Sequence, residues 1–176
     1  MLMLLLILAV VVLLHELGHA LVAKRFGIHV ISITLYPFGG MAHMSMIPER
    51  GREELLIALA GPATNLLLAL PVLLLAGIPG FLNPELIGTA TLTGLAWYWV
   101  LVNLALGLFN LLPAFPLDGG RVLRAALIPS MGFLQATERA VRVGRWLVAA
   151  MLAWAIFGPG SGWGLAFVAV FVWLMG

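Results

Sequence analysis

Long apolar runs separated by short polar stretches set the pattern of this chain. Met1 to Ala23, Leu55 to Ala76, Leu86 to Leu112 and Val141 to Phe157 are almost continuously apolar. A helix crossing the hydrocarbon core of a bilayer needs about 20 such residues. Trp163 to Met175 is a fifth apolar run, short for a full span. The pattern predicts an all-α polytopic membrane protein with about five transmembrane helices. The first run is too long for the core of a cleaved signal peptide and lacks its basic leading region. Two stretches depart from helix periodicity. Val30 to Tyr36 (VISITLY) is β-branched and alternating, Pro37-Phe38-Gly39-Gly40 reads as a turn, and Met41 to Ile47 reads as a returning strand. Together they predict a short membrane-associated β-hairpin, and such backbone is tolerated at membrane depth only against protein or a wet cavity. Pro113 to Gly120 (PAFPLDGG) breaks the third helix, and Arg121 to Leu127 resumes as a short amphipathic one. With no repeat, low-complexity tract or long linker, residues 1–176 read as a single membrane-embedded domain with a core over 1–127 and additional helices over 138–176.

Composition agrees. Of the 176 residues 63% are hydrophobic and 9% charged, and mean hydropathy is +1.14, whereas a soluble domain carries roughly 25% charged residues. A chain this short cannot bury so much apolar surface in a water-facing globule. It has no cysteine, which excludes a disulfide scaffold and any thiolate metal site. The net charge of +2 rests on nine basic residues, and their placement serves topology better than nucleic-acid binding. Lys24, Arg25, Arg50 and Arg52 fall between spans one and two; Arg121, Arg124, Arg139, Arg142 and Arg145 fall between spans three and four. The loops 77–85 and 158–162 carry none. The positive-inside rule then puts the N-terminus outside and the C-terminus in the cytoplasm, as expected of a multi-pass protein of the cell membrane.

Ionisable groups at membrane depth are costly and mark function by default. The first span holds His15, Glu16 and His19, reading HELGH. Positions i and i+4 of a helix share a face, so the two imidazoles can serve one metal ion, with Glu16 placed to take a proton from activated water. The motif has roughly 0.003 chance occurrences at this composition, so the match is specific. The bland alternative is a pair of polar core residues bonding other helices. Catalytic zinc takes three protein ligands and keeps a position for water. The sole aspartate, Asp118, lies at the helix break between Pro116 and Gly119-Gly120. It is the candidate third ligand; its alternatives are an ion pair with Arg121 or a cap on the following helix. The His₂-carboxylate set would also hold other divalent ions.

HELGH on a first span, AGPATN (Ala60 to Asn65) opening a second and NLLPAFPLDGGR (Asn110 to Arg121) closing a third resemble the site-2 protease family of intramembrane zinc metalloproteases. The resemblance covers roughly residues 10–127 and extends to the PFGG turn and its flanking strands, which are similar to that family's membrane-embedded hairpin. It implies a membrane-embedded metalloprotease domain that hydrolyses a peptide bond within or beside a transmembrane segment of a membrane-protein substrate. It further implies one Zn2+ per chain held by His15, His19 and Asp118, with Glu16 as the catalytic glutamate. Members carrying this last motif often have a helix before HELGH and a regulatory nucleotide-binding tandem after the last span. This chain shows neither, nor a periplasmic peptide-binding insert, so nucleotide regulation is not carried over. An absent leading helix leaves the outer face of span one less covered, which favours oligomers or lipid contact.

Other polar residues suit supporting roles. Asn103 and Asn110 are seven apart on one face of span three, and each can bond the substrate backbone or oxyanion or simply bridge helices. Gly61, Pro62 and Asn65 suit a close helix crossing near the metal, with Asn65 a candidate to orient a ligand. His43 in the hairpin and His29 after the first span read as interfacial; His43 is alternatively a fourth, inhibitory ligand. An edge strand of residues 30–47 can bind an unwound substrate by β-augmentation. Two other classes compete with a protease. One is a catalytically inactive membrane scaffold of the same fold; the other is a metal carrier or channel, which would want polar residues in several spans.

Overall fold

The computed structural model of the chain describes residues 2–36, 39–76, 89, 91–158 and 163–175. In chain order the elements are helix α1 (Leu2–Arg25), strands β1 (Val30–Tyr36) and β2 (Gly39–Met44), and helices α2 (Gly51–Ala76), α3 (Leu92–Asn110), α4 (Asp118–Phe157) and α5 (Trp163–Met175). Among them α1, α2, α3 and α4 are long and apolar enough to cross a membrane, and α5 is a shorter apolar helix. The fold is thus all-α apart from one hairpin, as the apolar runs predict. At about 1.5 Å per residue, the 24 residues of α1 extend about 36 Å, enough for the hydrocarbon core of roughly 30 Å.

Three boundaries differ from the sequence pattern. First, α3 begins at Leu92 and ends at Asn110, two residues short of its expected end; residues 86–88 lie outside the described residues. Pro113 disfavours helical backbone at Leu112, and the chain leaves the helix at Leu111. Second, the amphipathic segment and the fourth span are one stretch of 40 residues, broken only where Gly132 takes φ 78 and ψ 168. Glycine alone adopts that conformation freely. The charged residues between Arg121 and Arg145 therefore stand on helical turns on either side of that break rather than on a loop. Third, β2 runs over Gly39–Met44 rather than from Met41 to Ile47. Pro37 and Phe38 of the expected turn lie outside the described residues, while Gly39 and Gly40 already pair with Tyr36 and Leu35. The antiparallel register continues Thr34↔Met41, Ile33↔Ala42 and Ser32↔His43, then shifts to Val30↔Met44 across a bulge at Ile31. Gly40 is a close approach, not a turn residue: a Cβ there would land on the Glu16 side chain.

The chain forms two compact units, residues 1–47 with 59–109, and residues 48–58 with 110–176. The first is centred on Val11, Val12, Ala20, Trp97 and Val100, all buried. The second is centred on Ile57, Ala114, Leu117, Ala125, Ala136, Ala140 and Val148, also buried. Large apolar side chains outside these cores are widely exposed, including Leu75 at 90% and Trp163 at 93%. A surface of this kind needs lipid as its solvent.

Candidate metal centre

The ligand pair is built by helix geometry. His15 and His19 stand one turn apart on α1, both buried. Their Nε2 atoms face each other at 3.1 Å, with rings edge to face at 83°. Two nitrogens about 2.05 Å from one tetrahedral zinc are about 3.3 Å apart. The pair therefore fits a single metal ion between the two nitrogens.

Asn65 supports this arrangement. Its Oδ1 lies 3.3 Å from His15 Nδ1, while its Nδ2 donates to the Asn103 carbonyl at 3.3 Å. Because the carbonyl only accepts, the amide is oriented with Oδ1 toward the imidazole. His15 Nδ1 then carries the hydrogen and Nε2 presents its lone pair, the tautomer a metal ligand needs. Asn103 is fully buried; its Nδ2 donates to the Trp99 carbonyl at 2.9 Å, and its Oδ1 has no hydrogen-bond partner among the described residues. Close packing at the helix crossing is enforced by glycine. A Cβ on Gly61 would fall onto the His19 and His15 rings, and one on Gly18 would meet Thr64. Pro62 beside Gly61 is fully buried, so AGPATN does mark a close helix crossing beside the histidines.

Glu16 is buried. Its Oε2 accepts the backbone N–H of Ala42 on β2 at 3.0 Å, so the hairpin lies directly over this carboxylate. That amide carries no side-chain signal, and nothing in the sequence pattern points to it. His43 is exposed on the same strand, with Nδ1 3.4 Å from Ser32 Oγ across the hairpin. His29 is exposed between α1 and β1.

Asp118 belongs to the second unit and is the first residue of α4. The cap position is Leu117, with no side-chain capping bond, so Asp118 is not spent as a cap. The expected ion pair with Arg121 does form, Nη1 to Oδ1 at 3.6 Å. Gly119 and Gly120 set the carboxylate's place: a Cβ on either would collide with backbone of residues 111–115. The first turn of α4 therefore lies directly against the preceding loop. A second device was not legible in the sequence. Arg124 Nε donates to Glu54 Oε1 at 2.9 Å and Oε2 at 3.2 Å, and its Nη2 also donates to Oε1. Both residues are buried. The guanidinium sits over the Phe115 and Phe133 rings, 5.2 and 4.8 Å from their centroids. This bidentate pair ties the start of α2 to the start of α4. Asn110, the last residue of α3, is half-buried.

An apolar helical fold in which the HELGH histidines face one another inside the protein defines a membrane-embedded chain of metallopeptidase pattern. Comparison with known proteins narrows this. The profile of peptidase family M50 matches residues 3–91 and 86–153. A zinc metalloprotease of Methanocaldococcus jannaschii is 41% identical over 150 residues, 85% of this chain and 42% of that protein. Rip3 of Mycobacterium tuberculosis is 39% identical over 165 residues, 90% of this chain and 41% of that protein. The solved site-2 protease from Methanocaldococcus jannaschii matches with a TM-score of 0.75 and 37% identity, covering 98% of this chain and 75% of that one. The chain belongs to peptidase family M50, the site-2 proteases. It spans less than half the length of the two curated relatives.

Proposed function

We propose that this chain is an intramembrane zinc endopeptidase that hydrolyses a peptide bond within or next to a transmembrane segment of another membrane protein. The observation that carries the reading is the facing Nε2 pair of His15 and His19, held in the metal-binding tautomer by Asn65. Asp118 is the third ligand in this reading: each of the three residues is buried and offers one ligand atom, and their match to the family's motifs supports the assignment. One Zn2+ per chain fits this donor set, and the zinc metalloprotease among the relatives supports it.

A zinc ion bound there supplies polarisation of the scissile carbonyl and a water more acidic than bulk water. Glu16 accepts the proton of the attacking water at its carboxylate and delivers it to the leaving amine nitrogen. Asn110 bonds the substrate backbone or the developing oxyanion. Asn65 and Asn103 hold His15. The substrate, unwound from its helix, adds as a strand to the edge of β2 that faces Glu16. Proline at Ser32 or Thr34, which breaks the β1–β2 ladder, lowers cleavage and spares zinc; unchanged turnover would sink the hairpin's role. The all-inward placement of basic residues supports a cytoplasmic active-site side, with His15 about 13 Å from the Lys24-Arg25 boundary.

Substitution Glu16→Gln tests the reading against an inactive scaffold or a metal carrier. Zinc is retained and cleavage of membrane-protein substrate is lost. Residual cleavage at the wild-type rate would refute Glu16 as the base.

A further inference from the structure

Glu16 is gripped by the same edge of the hairpin on which a substrate strand would pair. An antiparallel strand turns the N–H groups of alternate residues toward its partner and the others toward its far edge. Ala42 stands opposite Ile33 in the register, yet its N–H goes to Glu16 Oε2 at 3.0 Å. Ala42 therefore faces the free edge of β2, and by alternation so does Gly40, against which the Glu16 side chain is packed. A strand added at this edge needs the Ala42 N–H as a ladder donor. One hydrogen cannot serve both acceptors well.

We propose that the Ala42 amide is a positioning group that latches Glu16 while the hairpin edge is empty and yields it when a substrate strand pairs there. This rests on the reading of Glu16 as the base and of β2 as the substrate edge. It goes further by making substrate pairing and release of the base a single exchange of hydrogen bonds. No covalent step is involved. A hydrogen bond to a charged group shifts the balance between held and released carboxylate by a factor of about ten to a hundred. A strand able to pair at Ala42 releases Glu16, whereas a fragment too short to pair meets it still held.

Two measurements test this. The first needs no substrate: amide exchange at Ala42 by NMR, in wild type and Glu16→Ala. The latch predicts exchange on the order of tenfold faster at Ala42 in the variant, with the ladder amide of Thr34 unchanged. Equal exchange at Ala42 in both proteins would overturn it. The second compares Ala42→Pro with Ala42→Gly in the zinc-loaded protein; the two variants differ in the N–H, and proline is tolerated where an edge N–H points away from its neighbour. The substrates are β-casein, a disordered chain that can pair as a strand, and a quenched tetrapeptide carrying the bond cleaved in it. Relative to the glycine variant, the proline variant raises kcat on the tetrapeptide about tenfold and raises KM for β-casein with kcat little changed. Identical kinetics of the two variants on both substrates, with Glu16→Gln inactive, would remove the latch and leave the proposed function standing. Cleavage by Glu16→Gln would instead remove the proposed function.

Discussion

At the scale of residues, the site depends on which atom of each side chain is presented. A metal-ligating histidine almost always donates its other ring N–H to a hydrogen-bond partner, which fixes its tautomer and orientation. Asn65 does this for His15, and the Asn103 carbonyl does it for Asn65. We expect Asn65→Ala to lower zinc affinity about 10- to 100-fold, measured by competition with a chelator. Unchanged affinity would show that His15 needs no orienting partner. Gly61→Ala should be at least as damaging by the same assay, because its Cβ meets both imidazole rings. HELGH was legible in the sequence because a helix converts spacing into a shared face. Asn65 was legible as a candidate through its place beside Gly61 and Pro62. The Ala42 amide was not legible at all, since every residue but proline has a backbone N–H and only tertiary structure selects one. The Glu54–Arg124 pair escaped for a related reason: the two are 70 residues apart, and each alone reads as an interfacial charge.

At the scale of elements, the paired glycines of PLDGG let the first turn of α4 lie against the preceding loop, and the buried Arg124 ties that end of the helix to the start of α2. The sequence showed the break that begins at Pro113 and the helix that resumes after it, but not that helical backbone continues on both sides of Gly132 up to the fourth span. Charged residues between Arg121 and Arg145 look like a connection in a hydropathy profile, whereas in the structure they stand on helical turns on either side of Gly132. A second break falls at Gly132, where the backbone takes a positive φ. Breaking a buried ion pair from one side leaves an uncompensated charge and costs about 3–5 kcal/mol. Glu54→Gln should therefore lower the Tm in detergent strongly, and replacing both Glu54 and Arg124 with apolar residues should recover much of the loss. Equal destabilisation by the single and double changes would mean that packing around Phe115 and Phe133, not charge pairing, dominates. The hairpin shows a complementary limit. Alternation located β1, but a pair of glycines that signals a turn in an isolated sequence here begins β2, because Gly40 must lie against Glu16.

At the scale of the whole molecule, composition carried most of the answer. A chain that is 63% hydrophobic and exposes Leu2, Leu75, Leu92 and Trp163 belongs in a bilayer. The arrangement of nine basic residues supplies the proposed orientation. The chain has no cysteine, so single cysteines report sidedness without background. With an impermeant maleimide on intact cells, Thr91→Cys should label and Arg52→Cys should label only after lysis; the reverse would invert the topology. In the proposed function His15, His19 and Asp118 hold one zinc ion per chain. The most direct test is the metal content of the purified protein in detergent, wild type beside Asp118→Ala. About one zinc per chain is expected in the wild type, from three protein ligands around one tetrahedral ion, and much less in the variant. Full zinc in both proteins would show that Asp118 is not a ligand and would overturn the three-ligand site.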